Sequence, residues 1–214
     1  GDWSSDVCSS DLVKILLDTP QDLDECKRQL GGIEVEQLFT PLTRRNAQKP
    51  EQHFAMDNGA FASFDPDGFL KMLIKHQDRK ELCRWVAIPD VVADARRTCE
   101  VFEHWTERKE LDGWRKAFVC QDGQEHLPIP WRSIDAIFIG GTTEWKMSSA
   151  SIACIKAAKA IGKWVHIGRI NTPARYELFK SLGADSCDGT GLARYEHMRL
   201  KIYENETQPR LAIE

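Results

Sequence analysis

Apolar and polar positions follow one repeating rhythm along the chain. A short apolar run, often β-branched, gives way to a longer stretch with apolar residues at helical spacing. The runs fall at 13–17, 35–39, 53–56, 85–88, 117–120, 136–139, 164–167 and 184–187, each four or five residues long, which suits strands buried on both faces. Amphipathic stretches at 66–75, 93–109, 148–160 and 173–182 lie between them. Asp65-Pro66 and Thr172-Pro173 each place a capping side chain before a helix-opening proline. Gly162 and Gly183 stand where helices should stop. Eight strands alternating with helices and no low-complexity linker predict one α/β domain, a compact (β/α)8 TIM barrel. A doubly wound open sheet is the alternative, but neither GxGxxG nor GxxxxGK[ST] occurs to support it.

The first dozen residues, GDWSSDVCSSDL, break the rhythm. They are rich in Ser and Asp, and lack both the basic start and the apolar core of a signal peptide. We therefore expect residues 1–12 to be a non-native leader and 13–214 to be the barrel. The first strand would follow that leader directly, and a barrel without it would have seven strands and open edges. The formal charge of −4 is partly the leader's: without Asp2, Asp6 and Asp11 it falls to −1. Neither value points to a strongly basic nucleic-acid clamp. No apolar run is long enough for a membrane span. The seven cysteines, Cys8, Cys26, Cys83, Cys99, Cys120, Cys154 and Cys187, form no zinc-ligand spacing, so buried thiols in a reducing, cytoplasmic setting are expected.

In a parallel barrel the chemistry gathers where the strands end. Those positions read Asp57-Asn58-Gly59, Pro89-Asp90, Gln121-Asp122-Gly123, Gly140-Gly141-Thr142-Thr143, Gly168-Arg169 and Asp188-Gly189-Thr190. Any one of them is an ordinary turn signal; six at one rim predict a pocket. It would hold three acids (Asp57, Asp90, Asp188), an amide (Gln121) and bare backbone at Gly140-Gly141. The histidines show neither HxH nor HxxxH spacing, so no metal site or metal cofactor is expected. His166, one residue from the end of its strand, reads as a core or hydrogen-bonded residue. Two aspartates in one cleft suit glycosyl chemistry, one attacking the anomeric carbon and the other moving protons.

The ordered set MDNGAF, WVAIPDVV, FVCQDG, FIGGTTEWK, WVHIGRINTPAR and GADSCDGTG resembles the tRNA-guanine transglycosylase superfamily. It is most similar to the small DpdA-like branch of deazapurine DNA-modification transglycosylases. The similarity runs from about residue 35 to 195. It implies a TIM barrel that exchanges guanine for a 7-deazaguanine through a covalent glycosyl-aspartate, with no cofactor. On this resemblance Asp188 is the nucleophile and Asp57 the second catalytic aspartate. Phe61 stacks on the base, Asp90 and Gln121 recognise it, Gly140 and Gly141 contact it through backbone, and Ile167 covers it.

Departures from the family pattern bear on the polymer. tRNA-acting members carry a zinc site of three Cys and one His beyond the nucleophile, and no cysteine follows Cys187 here. The glycine pair continues as Thr142-Thr143-Glu144-Trp145 where the family has Leu-x-x-Gly-Glu. The resemblance therefore implies DNA, single-stranded or with the target base flipped out, and a 7-deazaguanine of preQ0 type as partners, with no membrane. A homodimer or a partner in a modification complex is compatible with it. For the nucleic acid, Arg194 and then Arg169 are the leading contacts. Arg175, Arg199 and Lys201 also follow the last two rim positions, and Lys156, Lys159 and Lys163, on the helix before them, could equally be a solvated helix face. Trp145 could stack on an extruded base or pack as a lid residue, and Trp85, Trp105, Trp114, Trp131 and Trp164 are expected in the core or packed on helices. Two alternatives remain: an enzyme of the same superfamily acting on RNA or releasing the base to water, and a silent barrel subunit of a modification complex.

Overall fold

The computed structural model describes residues 13–18, 22–43 and 50–207; the expected leader, 1–12, lies outside them. Eight parallel strands close into a barrel in sequence order, β1 (Lys14–Leu17), β2 (Val35–Phe39), β3 (Phe54–Met56), β4 (Cys83–Ala87), β5 (Lys116–Cys120), β6 (Ala136–Ile139), β7 (Trp164–Ile167) and β8 (Ser186–Asp188). The first strand is a full member. Its Ile15 registers with Val35 of β2 on one side and with Cys187 of β8 on the other, which closes the ring.

Helices α1 (Leu23–Gln29), α2 (Pro66–Lys75), α3 (Ala95–Thr106), α4 (Thr143–Lys146), α5 (Ser149–Ala160), α6 (Pro173–Ser181), α7 (Thr190–Arg194) and α8 (Glu196–Thr207) surround it. Local chemistry sets their starts. Asp65 accepts from the Gly68 N–H and Thr172 from the Arg175 N–H, each with a proline in the first turn. Gly162 and Gly183 follow α5 and α6 with φ of +70° and +79°, the left-handed geometry that ends a helix. Between β5 and β6 the connection is two single 3₁₀ turns, Gln124–His126 and Trp131–Ser133. Among the described residues, no helix is long and apolar enough to cross a membrane.

The core has two layers. An outer one packs strands against helices, and an inner one fills the barrel with Leu16, Leu38, Ala55, Trp85, Ala87, Ala117, Val119, Ala136 and Phe138. Four alanines in that set make room for the Trp85 and Phe138 rings, which meet edge to face at 5.6 Å. Below them, towards the strands' N-terminal ends, Arg84 grips Glu36: its Nη2 donates to Oε1 at 2.6 Å and its Nε to Oε2 at 3.0 Å. The guanidinium lies 5.5 Å from the Trp164 ring. Glu36→Ala would strand that cation. The expected loss is about 3 kcal/mol, at the low end for a broken buried pair because the Arg84 side chain keeps 23% exposure. A urea midpoint that falls at constant m-value checks it.

Candidate active site

The C-terminal ends of the strands surround a cavity of about 350 Å³, within the range of small-molecule pockets (about 300–1,000 Å³). Its floor is inner-core apolar surface: Leu16, Leu38, Ala87, Val119 and Phe138. Its walls carry the three predicted acids, Asp57, Asp90 and Asp188, with Gln121, Gly140 and Gly141. Phe61, Arg169 and Arg194 stand at the mouth. Asp18, just past β1, and Asn58 also line it; neither was singled out as a site residue from the sequence.

Each acid has its own surroundings. Asp57 follows β3, and its Oδ1 accepts only a local bond, from the Gly59 N–H at 2.7 Å. Burial pushes its carboxyl up to about 7; the Gly59 bond pulls the other way, and the charges of Asp188 and Asp90 add to the rise. Asp90 is held by two amides, with Asn58 Nδ2 donating to Oδ1 at 2.7 Å and Gln121 Nε2 to Oδ2 at 2.6 Å. Burial raises its pKa, and these two donors partly offset the rise. Asn58 is itself tied down, donating to the Ile88 carbonyl at 3.0 Å and accepting from the Ala60 N–H at 2.7 Å.

Asp188 is the opposite case. Burial disfavours its charge, but His166 Nε2 lies 2.9 Å from Oδ2 and the Arg169 N–H donates to Oδ1 at 2.9 Å. His166, through its hydrogen bond and its electrostatic pull, holds the carboxyl below the ordinary range, helped by the Arg169 N–H and the nearby Lys146 charge. Lys146, on α4, is itself buried, donates to the Gly168 carbonyl, and is pushed down to about 7 by burial. Two non-glycine residues have left-handed backbone, Ala93 at φ +61° and Arg169 at φ +60°. Both aim their N–H at the site, Ala93 at Gln121 Oε1 (2.8 Å) and Arg169 at Asp188. Backbone strain is thus concentrated where side chains are being positioned.

Several sequence expectations need correction. Ile167 does not cover a ligand: it is fully buried in the outer layer. Strand alternation turns His166 and Gly168 inward, so the residue between them faces the helices. Of the two alternatives for Trp145 the structure shows the packed one: it is 7% exposed, with its indole N–H donating to Glu125 at 2.9 Å. Gln121 lines the cavity but is 2% exposed, and its Oε1 already accepts from the Ala93 and Gly141 N–H groups. Its Nε2 donates to Asp90, so the side chain ties Asp90 to the Gly141 turn. The Gly140 N–H is likewise taken, by the Cys120 carbonyl at 3.0 Å. What the glycine pair supplies is closeness, since a Cβ on Gly140 would meet Gln121 Nε2 at 2.7 Å.

At the mouth Phe61 is 67% exposed, and the Arg169 guanidinium stacks on it at 4.4 Å while donating to the Gly141 carbonyl. Arg194 is exposed on the rim. The other basic residues divide. Arg199 is buried and donates to Gln29 and to the Leu192 carbonyl, Lys159 pairs with Asp185, and Lys163 donates to the Ile134 carbonyl. These three are structural. Trp85, Trp105 and Trp114 are buried, as expected. Among the described residues, no cluster of three His, Cys, Asp or Glu side chains is placed to hold a metal.

His166 is a buried, hydrogen-bonded residue, as expected, but the sequence did not show that its partner is Asp188. The inward parity of β7, counted from Gly168 just beyond its end, was the available signal. Comparison with known proteins adds the fold. No family model matches the chain, and no curated protein sequence matches it. Among solved structures it is similar to a chain of the tryptophan synthase α2β2 complex of the hyperthermophile Pyrococcus furiosus. The TM-score is 0.53 at 11% identity, over 92% of this chain and 98% of that one. At that identity the likeness shows a TIM-barrel fold and nothing of the chemistry.

Proposed function

We propose that this barrel is a base-exchange transglycosylase that replaces guanine in DNA with a 7-deazaguanine of preQ0 type through a covalent glycosyl-aspartate. One observation carries the reading: two carboxyls line a single cavity in opposite surroundings, Asp188 between the His166 and Arg169 donors that favour its ionisation, and Asp57 buried with one local donor, which favours its protonation. Such a split is what a nucleophile and a proton carrier require.

In this reading an Asp188 oxygen attacks C1′ of the deoxyguanosine and the C1′–N9 bond breaks. Asp57 gives its proton to the departing guanine. The incoming base then returns a proton to Asp57 as its N9 attacks C1′, and the bond to Asp188 breaks. Protons balance over the cycle, and the enzyme ends as it began. Asp90, fixed by Asn58 and Gln121, accepts hydrogen bonds from the base's polar edge. Arg194 and a released Arg169 would face the phosphates, and Phe61 the base plane.

Radiolabelled guanine or preQ0, offered with single-stranded DNA, duplex DNA or tRNA, tests the reading. Label in DNA and not in tRNA is the expected result; label in tRNA alone moves the activity to RNA, and label in neither overturns it. Asp90→Ala should raise the apparent KM for the incoming base about 10- to 100-fold through loss of charge-assisted bonds, with a smaller effect on thermal stability. An unchanged KM would remove Asp90 from base recognition.

A further inference from the structure

The His166 imidazole is completely buried. It lies between the Trp85 and Phe138 rings, with centroids at 4.5 and 4.6 Å. Its two nitrogens have one partner each, Nδ1 at 2.9 Å from Ser186 Oγ and Nε2 at 2.9 Å from Asp188 Oδ2. Ser186 is also fully buried, and its Oγ accepts from the Trp164 indole N–H at 2.9 Å.

The direction of this chain can be derived. An indole N–H can only donate, so Ser186 Oγ receives at one end and has a single hydrogen to give. An ionised Asp188 can only accept, so Nε2 must carry hydrogen. A neutral ring with hydrogen on Nε2 has a bare Nδ1, which takes the Ser186 hydrogen. The order is then Trp164 to Ser186 to His166 to Asp188, with every group satisfied once. Burial disfavours the imidazolium and outweighs the hydrogen bond and charge of Asp188, which favour it, and the nearby Lys146 adds to the effect of burial.

We propose that His166 is a positioning residue for the reacting carboxylate: locked as its neutral Nε2–H tautomer by Trp164 and Ser186, it donates to Asp188 and holds that group ionised and aimed into the cavity. The inference rests on the reading of Asp188 as the reacting carboxylate. A neutral donor matters for that role. An imidazolium partner would spend the aspartate's charge on an ion pair, whereas a neutral N–H orients the carboxylate and leaves its charge for the positive charge that develops at the sugar. With the Arg169 N–H on the other oxygen, each Asp188 oxygen has one fixed donor. Ser186 lies at the sealed end of the chain, so the Ser–His–Asp sequence here cannot present a serine nucleophile.

The test reads the ligand-free protein, so it stands apart from base exchange. Among the described residues, the charged and titratable groups facing the pair are Lys146 from α4, Asp57 from the end of β3 and the Cys187 thiol beside Asp188 on β8. All are kept in every variant. Long-range ¹⁵N–¹H spectra should show His166 as the neutral Nε2–H tautomer at pH 7; a neutral Nδ1–H form or an imidazolium would overturn the proposal. In carboxyl-¹³C titrations His166→Met should move the Asp188 midpoint upward. His166→Gln, which can still present an N–H, should restore much of the difference. A purely structural histidine would lower the stability of the Met variant and leave that midpoint in place, which would equally overturn it. Should the Met variant not fold, the wild-type tautomer decides. With an exchange assay, His166→Met should also cut kcat by about 10- to 100-fold, the worth of one hydrogen bond to a charged group, and leave KM for the base unchanged. Correct spectra with no base exchange would retain the positioning device and refute the transglycosylase reading.

Discussion

Asp188→Asn should abolish base exchange, with a loss of at least about 10⁴-fold, because an amide cannot form the glycosyl ester on which both half-reactions depend. The side chain keeps its volume at the end of β8. Only one of the two donors aimed at it, His166 Nε2–H or the Arg169 N–H, can still find an oxygen. A modest fall in melting temperature with intact circular dichroism is therefore expected beside the complete loss of label incorporation. DNA binding should persist, since Arg194 and Phe61 lie at the mouth and are untouched. Turnover retained in this variant would remove Asp188 as the nucleophile.

Asp57→Asn has the second largest expected effect, about 10²- to 10⁴-fold in kcat, the usual worth of a positioned general acid–base. The pH profile supplies its signature. Asp57 must begin the cycle protonated, and its carboxyl sits at about 7. Activity on the polynucleotide should therefore fall as pH rises through about 7. Asp188 must be ionised, and its pKa lies below the ordinary carboxylate value, so activity should fall on the acid side only once pH drops below that ordinary range. The Asn variant should lose the alkaline limb and keep the acid one. An alkaline limb that survives unchanged in Asp57→Asn would assign it to another group, with Lys146 the first to examine, since burial also brings it to about 7.

Much of the barrel was legible because local chemistry and global fold agree. All eight apolar runs form strands, the two aspartate- or threonine-proline pairs start helices, and the two glycines end them. The three acids and the glycine pair share one cavity. What the sequence hid is side-chain direction. In a barrel strand both faces are buried, so hydropathy does not tell the inward His166 from the outward Ile167. Only their parity against Gly168 and the register of β7 with β8, His166 beside Ser186, does so. The Gln121 network was hidden for a related reason: its partners, the Ala93 and Gly141 amides and the Asp90 carboxylate, come from three different loops and meet only in the closed barrel. For Trp145 the sequence left stacking and packing open, and only the fold, by bringing Glu125 of the β5–β6 connection to its indole, shows the packed alternative. Helix α8 escaped notice because Met198 and Ile202 are interrupted by charge; it is secured by Arg199, which reaches Gln29 of α1.

The most direct measurement of the central claim is the intact mass of the protein after incubation with a short guanine-containing single-stranded oligodeoxynucleotide, without an incoming base, followed by an acid quench. A species heavier by the oligonucleotide less guanine, mapped by digestion to the peptide containing Asp188 and missing in Asp188→Asn, is the predicted result. Guanine release with no adduct, or an adduct on any other residue, would contradict the account.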